Sequence, residues 1–254
     1  MDLLESQQQV GMRQRHPWEL IRLSIVLYFF KKYVVPKLRQ RSCCVDIGCG
    51  DGWLLGQLAK EFPEFSFYGV DNNWPGDHLI ASEAPKNFKI YRDFSELPVA
   101  MKDFGAFMFL DVLEHVEDEQ DFLKKYLFNK PSGQIAIFTV PVFQKLFGDH
   151  DRFLGHYRRY SKNTLNKIIE QAGLSVIESG YFFWSPLIFR LLQNIFGKRA
   201  ENQPYSNPTG SWKHNFFLTA IVKILLQADF VVSRVMRTMG MSIVGLSCYT
   251  VAEY

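Results

Sequence analysis

Between Cys43 and Pro141 the chain alternates short apolar runs with helical patterns: CCVDIG then Trp53 to Phe62, FSFYGVD then a loop, FKIY, FGAFMFLD then Glu117 to Phe128, and GQIAIFTVP. The runs lack the every-second-residue polar pattern of a strand with one wet face, so they read as strands covered on both sides. Such strands separated by helices specify a parallel sheet with crossover helices, an α/β fold. A sixth strand, LSVIESGYFF, is expected after a helix that starts at the N-cap residue Ser161 and stops at Gly173.

The ends of the chain depart from this alternation. From Pro17 to Leu38 an apolar segment passes into a basic one carrying Lys31, Lys32, Lys37, Arg39 and Arg41. It is shorter than the roughly 18 uninterrupted apolar residues a membrane span needs, and reads as a buried or interfacial helix. Two apolar helical stretches lie between Trp184 and Gly240, joined by the polar linker KRAENQPYSNPTGSWKH, and the β-like tail SIVGLSCYTVAEY follows. The expected organisation is a helical cap over residues 1–42, a core over 43–183, a helical insertion or lid over 184–240, and a final strand of the core sheet over 241–254. Within the insertion, Leu218, Ile221, Val222, Leu225 and Leu226 recur at helical spacing, which points first to packing. A second reading is an apolar face, rimmed by Lys198, Arg199, Lys213 and Lys223, that makes peripheral contact with an anionic membrane or accepts a lipidic substrate.

At 254 residues one sizeable α/β domain is the default. The 23 phenylalanines require large apolar surfaces to be covered. A net charge of +3 without a block of like charges gives no expectation of nucleic acid. Cys43, Cys44, Cys49 and Cys248 form no CxxC pair, so neither a zinc framework nor disulfides are expected. Together with an opening MDLLESQQQV that lacks the basic-then-apolar order of a signal peptide, this favours the cytoplasm, including the inner face of the membrane.

The chemistry begins at VDIGCGDG. Asp46 ends a strand, and Gly48, Cys49, Gly50 and Gly52 form the turn into a helix, where glycines let the backbone approach a ligand and offer N–H donors. A dinucleotide fingerprint would continue with glycine or alanine at position 53, and Trp53 stands there instead. The second strand ends in Asp71, followed by Asn72, where a carboxylate can accept hydrogen bonds from two ribose hydroxyls.

With these residues the chain resembles the class I S-adenosylmethionine-dependent methyltransferases, and the resemblance spans most of Val45 to Pro141. It implies a Rossmann-like methyltransferase fold: a doubly wound seven-stranded sheet, here with an N-terminal helix and a helical insertion before the last strand. It also implies S-adenosyl-L-methionine as cofactor, Asp93 and Phe94 near the adenine, and Leu110, Asp111 and Val112 of LDVLEHVED along the methyl end of the pocket.

The stretch DHDRFLGHYRRYS, Asp149 to Ser161, sits where an acceptor should. His156, His115 and His150 are candidate bases, and Arg158 and Arg159, with Tyr157 and Tyr160, are candidates to hold an anionic acceptor. The alternative is that the arginines pair with acids to fasten the loop while the tyrosines pack. The GHYRRYS arrangement resembles a bacterial subgroup acting on small molecules or on cell-envelope glycans and lipids. Asp111, Glu114 and His115 carry metal-ligand atoms, but no further ligand is fixed by spacing and no metal is expected. The expected function is methyl transfer by in-line displacement to a small-molecule or lipid- or glycan-linked acceptor. The alternatives are a catalytically silent binding module on the same fold and a nicotinamide-dependent oxidoreductase.

Overall fold

The computed structural model describes residues 15–38, 42–74, 76, 85–98, 103–127, 133–196 and 216–254. The basic residues Arg39 and Arg41, the linker cations Lys198, Arg199 and Lys213, and Phe128 lie outside them. Seven strands form one sheet: β1 (Cys43–Ile47), β2 (Ser66–Val70), β3 (Phe88–Tyr91), β4 (Phe104–Leu110), β5 (Ile135–Pro141), β6 (Ser175–Phe182) and β7 (Ser247–Glu253), in the order β3-β2-β1-β4-β5-β7-β6. β1 pairs in parallel with β2 on one side and β4 on the other. Strand order therefore reverses between them, and the crevice beyond their carboxyl ends is where such sheets bind ligands.

The tail strand closes the sheet differently from a simple last strand at the edge. β7 is inserted between β5 and β6 and runs antiparallel to both, with Ile135 opposite Glu253 and Pro141 opposite Ser247. The sheet is thus mixed. Every β7 residue except Glu253 is buried, which explains why the tail reads as apolar although it ends the chain.

The helices are α1 (Pro17–Phe29), α2 (Trp53–Glu61), α3 (Glu119–Leu127), α4 (Asp149–Phe153), α5 (Lys162–Gln171), α6 (Trp184–Phe196) and α7 (Phe216–Thr238). The phenylalanine excess is accounted for by the two faces of the sheet. Phe29, Phe30, Phe67 and Phe182 pack on one face, and Phe104, Phe107, Phe109 and Phe138 on the other, all essentially inaccessible to water. At about 25 cal/mol per Å² of apolar area, such rings supply a large share of the folding drive.

α1 starts at Pro17, with the His16 side chain accepting from Trp18 N–H, and continues as a π-helical turn over Phe30–Val34. It is part of the core rather than a separate cap: Ile21, Ile25, Val26 and Phe29 are buried. The two helices after Trp184 also pack. α7 lies against α1 and β6, seating Leu226 and Phe230 with Phe29 and Phe182. They flank the β6 edge of the sheet. Ser161 caps α5 by accepting from Thr164 N–H, and Gly173 ends it with φ +89°.

Candidate active site

The turn after β1 is shaped by glycine. Gly48, Gly50 and Gly52 all take positive φ, at +73°, +60° and +70°, a region that carries a steric cost for other residues. Gly48 also needs the space, because a Cβ there would lie 2.6 Å from Val112 Cγ2. The glycine turn and the segment after β4, about sixty residues apart in the chain, are thereby in van der Waals contact. Gly48 N–H donates to Val70 O (2.7 Å), and Gly50 N–H to Asp71 Oδ2 (2.9 Å). Asp71 Oδ1 accepts from Asn73 N–H (3.0 Å), while Asn72 is exposed.

Asp46 lies beneath this turn, 3% exposed, with Oδ1 unpartnered among the described residues. Burial, and secondarily the charge of Asp71, pushes its carboxyl up to about 7. Cys49 is also buried, and Gly69 makes room for its sulfur, since a Cβ at 69 would lie 2.6 Å from it. Burial holds the Cys49 thiol well above its usual range. Arg15 closes the outer side of the turn: it pairs with Asp51 (2.5 Å), and its guanidinium sits 5.0 Å from the centre of the Trp53 ring. Trp53, which breaks the dinucleotide pattern, is therefore the first residue of α2 with a cation over its ring.

The end of β4 forms the second wall. Leu110 and Val112 are buried, and Asp111 has φ +54°, an uncommon backbone for a non-glycine residue and of the type concentrated at functional sites. Asp111 is held on several sides: its N–H donates to Thr139 O (2.9 Å), its Oδ1 accepts from the Thr139 hydroxyl (2.8 Å), and its Oδ2 pairs with Arg22 of α1. Burial would raise this carboxyl, but Arg22 leads the opposing effects and the net shift is downward. Three residues after Asp111, Glu114 is 1% exposed with Oε2 unpartnered among the described residues, and burial, reinforced by Asp111, pushes it well above the carboxylate range.

The acceptor-side stretch is a short helix followed by an extended segment. His115 and His156 meet edge to face, with ring centres 4.5 Å apart. His156 Nδ1 lies 3.0 Å from Asp151 Oδ1, and the same oxygen accepts from Arg159 Nε (2.7 Å). Asp151 is inaccessible to water; burial raises its carboxyl, but the hydrogen bonds from His156 and Arg159 outweigh that and hold it well below the usual range. His150, on α4, is outside this group.

The remaining residues of the stretch, and those after β3, are engaged by neighbouring elements. Arg159 is buried against Asp151, and Arg158 pairs with Glu119 while donating to Glu117 O (2.6 Å). Both arginines therefore fasten the segment. Tyr160 is buried and donates to Leu113 O (2.9 Å), its phenol pushed up to about 12 by burial, whereas Tyr157 is 53% exposed. Asp93 is exposed, and its Oδ1 accepts from the Ser95 N–H (2.8 Å) and hydroxyl (2.7 Å) as a helix cap. Phe94 packs against Phe104 and Tyr126, at ring separations of 5.8 and 5.4 Å, so its face is used by the core.

Arg15, Arg22, Thr139 and Asp151 were not visible as site residues in the sequence. Arg15, just before the first helix, and Arg22, on it, belong to no motif that ties them to the sheet, and only the fold brings them to Asp51 and Asp111. The acids of PWEL and DHDRF carry no spacing signal of their own.

A family model described as a methyltransferase domain matches residues 19–179. No curated protein sequence matches the chain. Among solved structures it is similar to phosphoethanolamine N-methyltransferase 2 of Haemonchus contortus in complex with S-adenosyl-L-methionine, at 16% identity and TM-score 0.54, covering 99% of this chain and 56% of that one. It is similar also to coclaurine N-methyltransferase bound to N-methylheliamine and S-adenosylhomocysteine, at 13% identity and TM-score 0.53, covering 90% and 72%. A third, the cyclase SpnF, has 15% identity and TM-score 0.54 over 90% and 79%. These identities establish a shared fold, and the family match covers well over half of the chain, from the helix bearing Arg22 to the sixth strand. The chain belongs to the methyltransferase domain family and is a class I S-adenosylmethionine-dependent methyltransferase.

Proposed function

We propose that the protein transfers a methyl group to a small-molecule or lipid- or glycan-linked acceptor held between the β4 end and the segment Asp149 to Ser161. The observation that carries this reading is the convergence of the glycine turn, Asp71 and the β4 end at the strand-order reversal. The residues fit the cofactor. Asp71 is placed for its ribose hydroxyls, and the unpartnered Oδ1 of Asp46 is a buried acceptor beside the turn, suited to the ammonium of its amino-acid end. Leu110 and Val112 offer apolar surface, and Asp93 lies beyond the third strand. When bound, S-adenosylmethionine supplies a methyl group made electrophilic by its sulfonium. The protein's part is to place a nucleophile in line and exclude water. His115 and His156 stand beside Asp111 as receivers of the acceptor's proton, and His150 is the more peripheral candidate. Tyr157, half exposed, is the member of the loop left to touch an acceptor.

Asp46 gives this reading a pH signature. Its folded-state carboxyl lies near 7, above the usual 3.8, so the ligand-free protein retains a proton that the unfolded chain has lost. Stability from this group is full below about pH 3.8 and declines as pH rises towards 7. A cationic ligand favours the ionised form, so cofactor affinity should fall by up to about tenfold from pH 8 to pH 6. Calorimetric titrations across that range check this, and Asp46→Asn should flatten the profile.

The acceptor class is tested by incubating the protein with methyl-labelled cofactor and fractionated lysate. Label in the lipid, saccharide or small-molecule pool supports the proposal. Tight cofactor binding with label in none of the pools would favour the silent module.

A second reading concerns location. No helix among the described residues is long and apolar enough to cross a membrane. Yet α6 and α7 expose Phe189, Phe217, Ile221, Ile224 and Leu225 by 54–76%, a larger apolar face than scattered surface residues make. Such a face suits peripheral insertion into an interface. Lys31, Lys32 and Lys37 contribute less to it than their number suggests, because they pair with Glu61, Glu178 and Glu253. Cosedimentation with phosphatidylglycerol vesicles should drop several-fold on combining Ile221→Glu with Ile224→Glu, and recovery unchanged by that pair would remove the reading.

A further inference from the structure

We infer that Glu114, His115 and His156 form a binding site for one divalent transition-metal cation. Their ligand atoms all lie within 4.8 Å of one another. Two imidazoles and one carboxylate are a donor set that recurs around zinc and non-haem iron(II), and three protein ligands leave coordination positions open.

Three features distinguish this group from a chance meeting of polar side chains. Glu114 is 1% exposed, and its Oε2 has no hydrogen-bond partner among the described protein groups. An acceptor so placed is costly unless something satisfies it. His156 is oriented from behind: Asp151 Oδ1 engages Nδ1, which leaves Nε2 as the nitrogen available to a cation. A carboxylate on the far nitrogen is the usual outer support of a metal-bound histidine, and here that carboxylate is itself fixed by Arg159. The backbone also ties the two halves of the group together, because Tyr157 N–H donates to Glu114 O (2.7 Å) and the Tyr160 hydroxyl to Leu113 O.

The required movement is small. Ligand atoms about 2.1 Å from a tetrahedral cation stand about 3.4 Å apart, so spacings of at most 4.8 Å need to close by little more than an ångström. Asp111 is adjacent in the chain but is engaged by Arg22 and Thr139, and is not counted as a ligand. His115 is half-buried, and the His156 side chain is 8% exposed. A cation there would take an oxygen ligand, and an acceptor hydroxyl coordinated to it would lose its proton more readily. This last role rests on the methyl-transfer reading, and in it the two histidines hold the cation in place of receiving the proton, which passes to solvent; the cation site itself does not rest on that reading.

The test uses tag-free, chelator-treated full-length protein titrated with Co2+ and followed by ligand-field absorption, with Zn2+ competition. One saturable Co2+ per chain, displaced by Zn2+, is expected. His115→Ala and His156→Ala should each weaken binding at least tenfold while the circular dichroism spectrum is retained; if His156→Ala does not fold, His115→Ala decides. Absence of saturable binding up to millimolar Co2+, or binding unchanged in His115→Ala, overturns the inference. S-adenosylhomocysteine affinity, measured on the same metal-free sample, reports separately on the methyl-transfer reading.

Discussion

Asp71→Ala is expected to weaken cofactor binding by on the order of a hundredfold, measured by calorimetry with S-adenosylhomocysteine. A hydroxyl hydrogen bond to a carboxylate is worth roughly 1.5–3 kcal/mol, so one such bond lost outright accounts for about tenfold to a hundredfold. The remainder comes from the turn itself, since the same carboxylate receives Gly50 N–H and Asn73 N–H and its loss frees both. Asp71→Asn keeps the shape and one acceptor, so an intermediate affinity is expected. Unchanged binding in Asp71→Ala would remove the ribose assignment.

The second large effect falls on stability. Arg159→Ala removes a 2.7 Å ion pair and leaves Asp151, fully inaccessible, with His156 as its remaining side-chain partner. Breaking a buried pair from one side costs about 3–5 kcal/mol, which chemical denaturation would read as a reduced midpoint. Asp151 is depressed in the folded protein, so its contribution is present above its unfolded value and is lost as pH falls through and below the ordinary carboxylate range. The stability difference between Arg159→Ala and the parent should therefore shrink in acid. A difference below about 1 kcal/mol at neutral pH would show that water, rather than Arg159, supports Asp151.

Much of the fold was legible because its signals are local. Uninterrupted apolar runs marked β1, β2, β4 and β5, and Ser161 and Gly173 bounded α5. The place of β7 was not, because an apolar strand looks the same whether it lies at an edge or between β5 and β6. The apolar spacing of Leu218 to Leu226 pointed first to packing, and its partners, Phe29 and Phe182 for Leu226 and Phe230, could not be read from the sequence. In the site, the glycine turn and Asp71 were legible because their spacing carries backbone geometry. The partners of Arg158 and Arg159 were not, because ion pairing across tens of residues leaves no period in the sequence. Glu114 shows the same limit: it reads as a polar residue after a strand, and only the fold buries it.

The most direct measurement of the central claim is a calorimetric titration of the ligand-free protein with S-adenosylmethionine alongside one with a nicotinamide dinucleotide. Saturable binding of one S-adenosylmethionine per chain, with no heat from the dinucleotide, is the predicted result. Saturable binding of the dinucleotide with none of S-adenosylmethionine would contradict it.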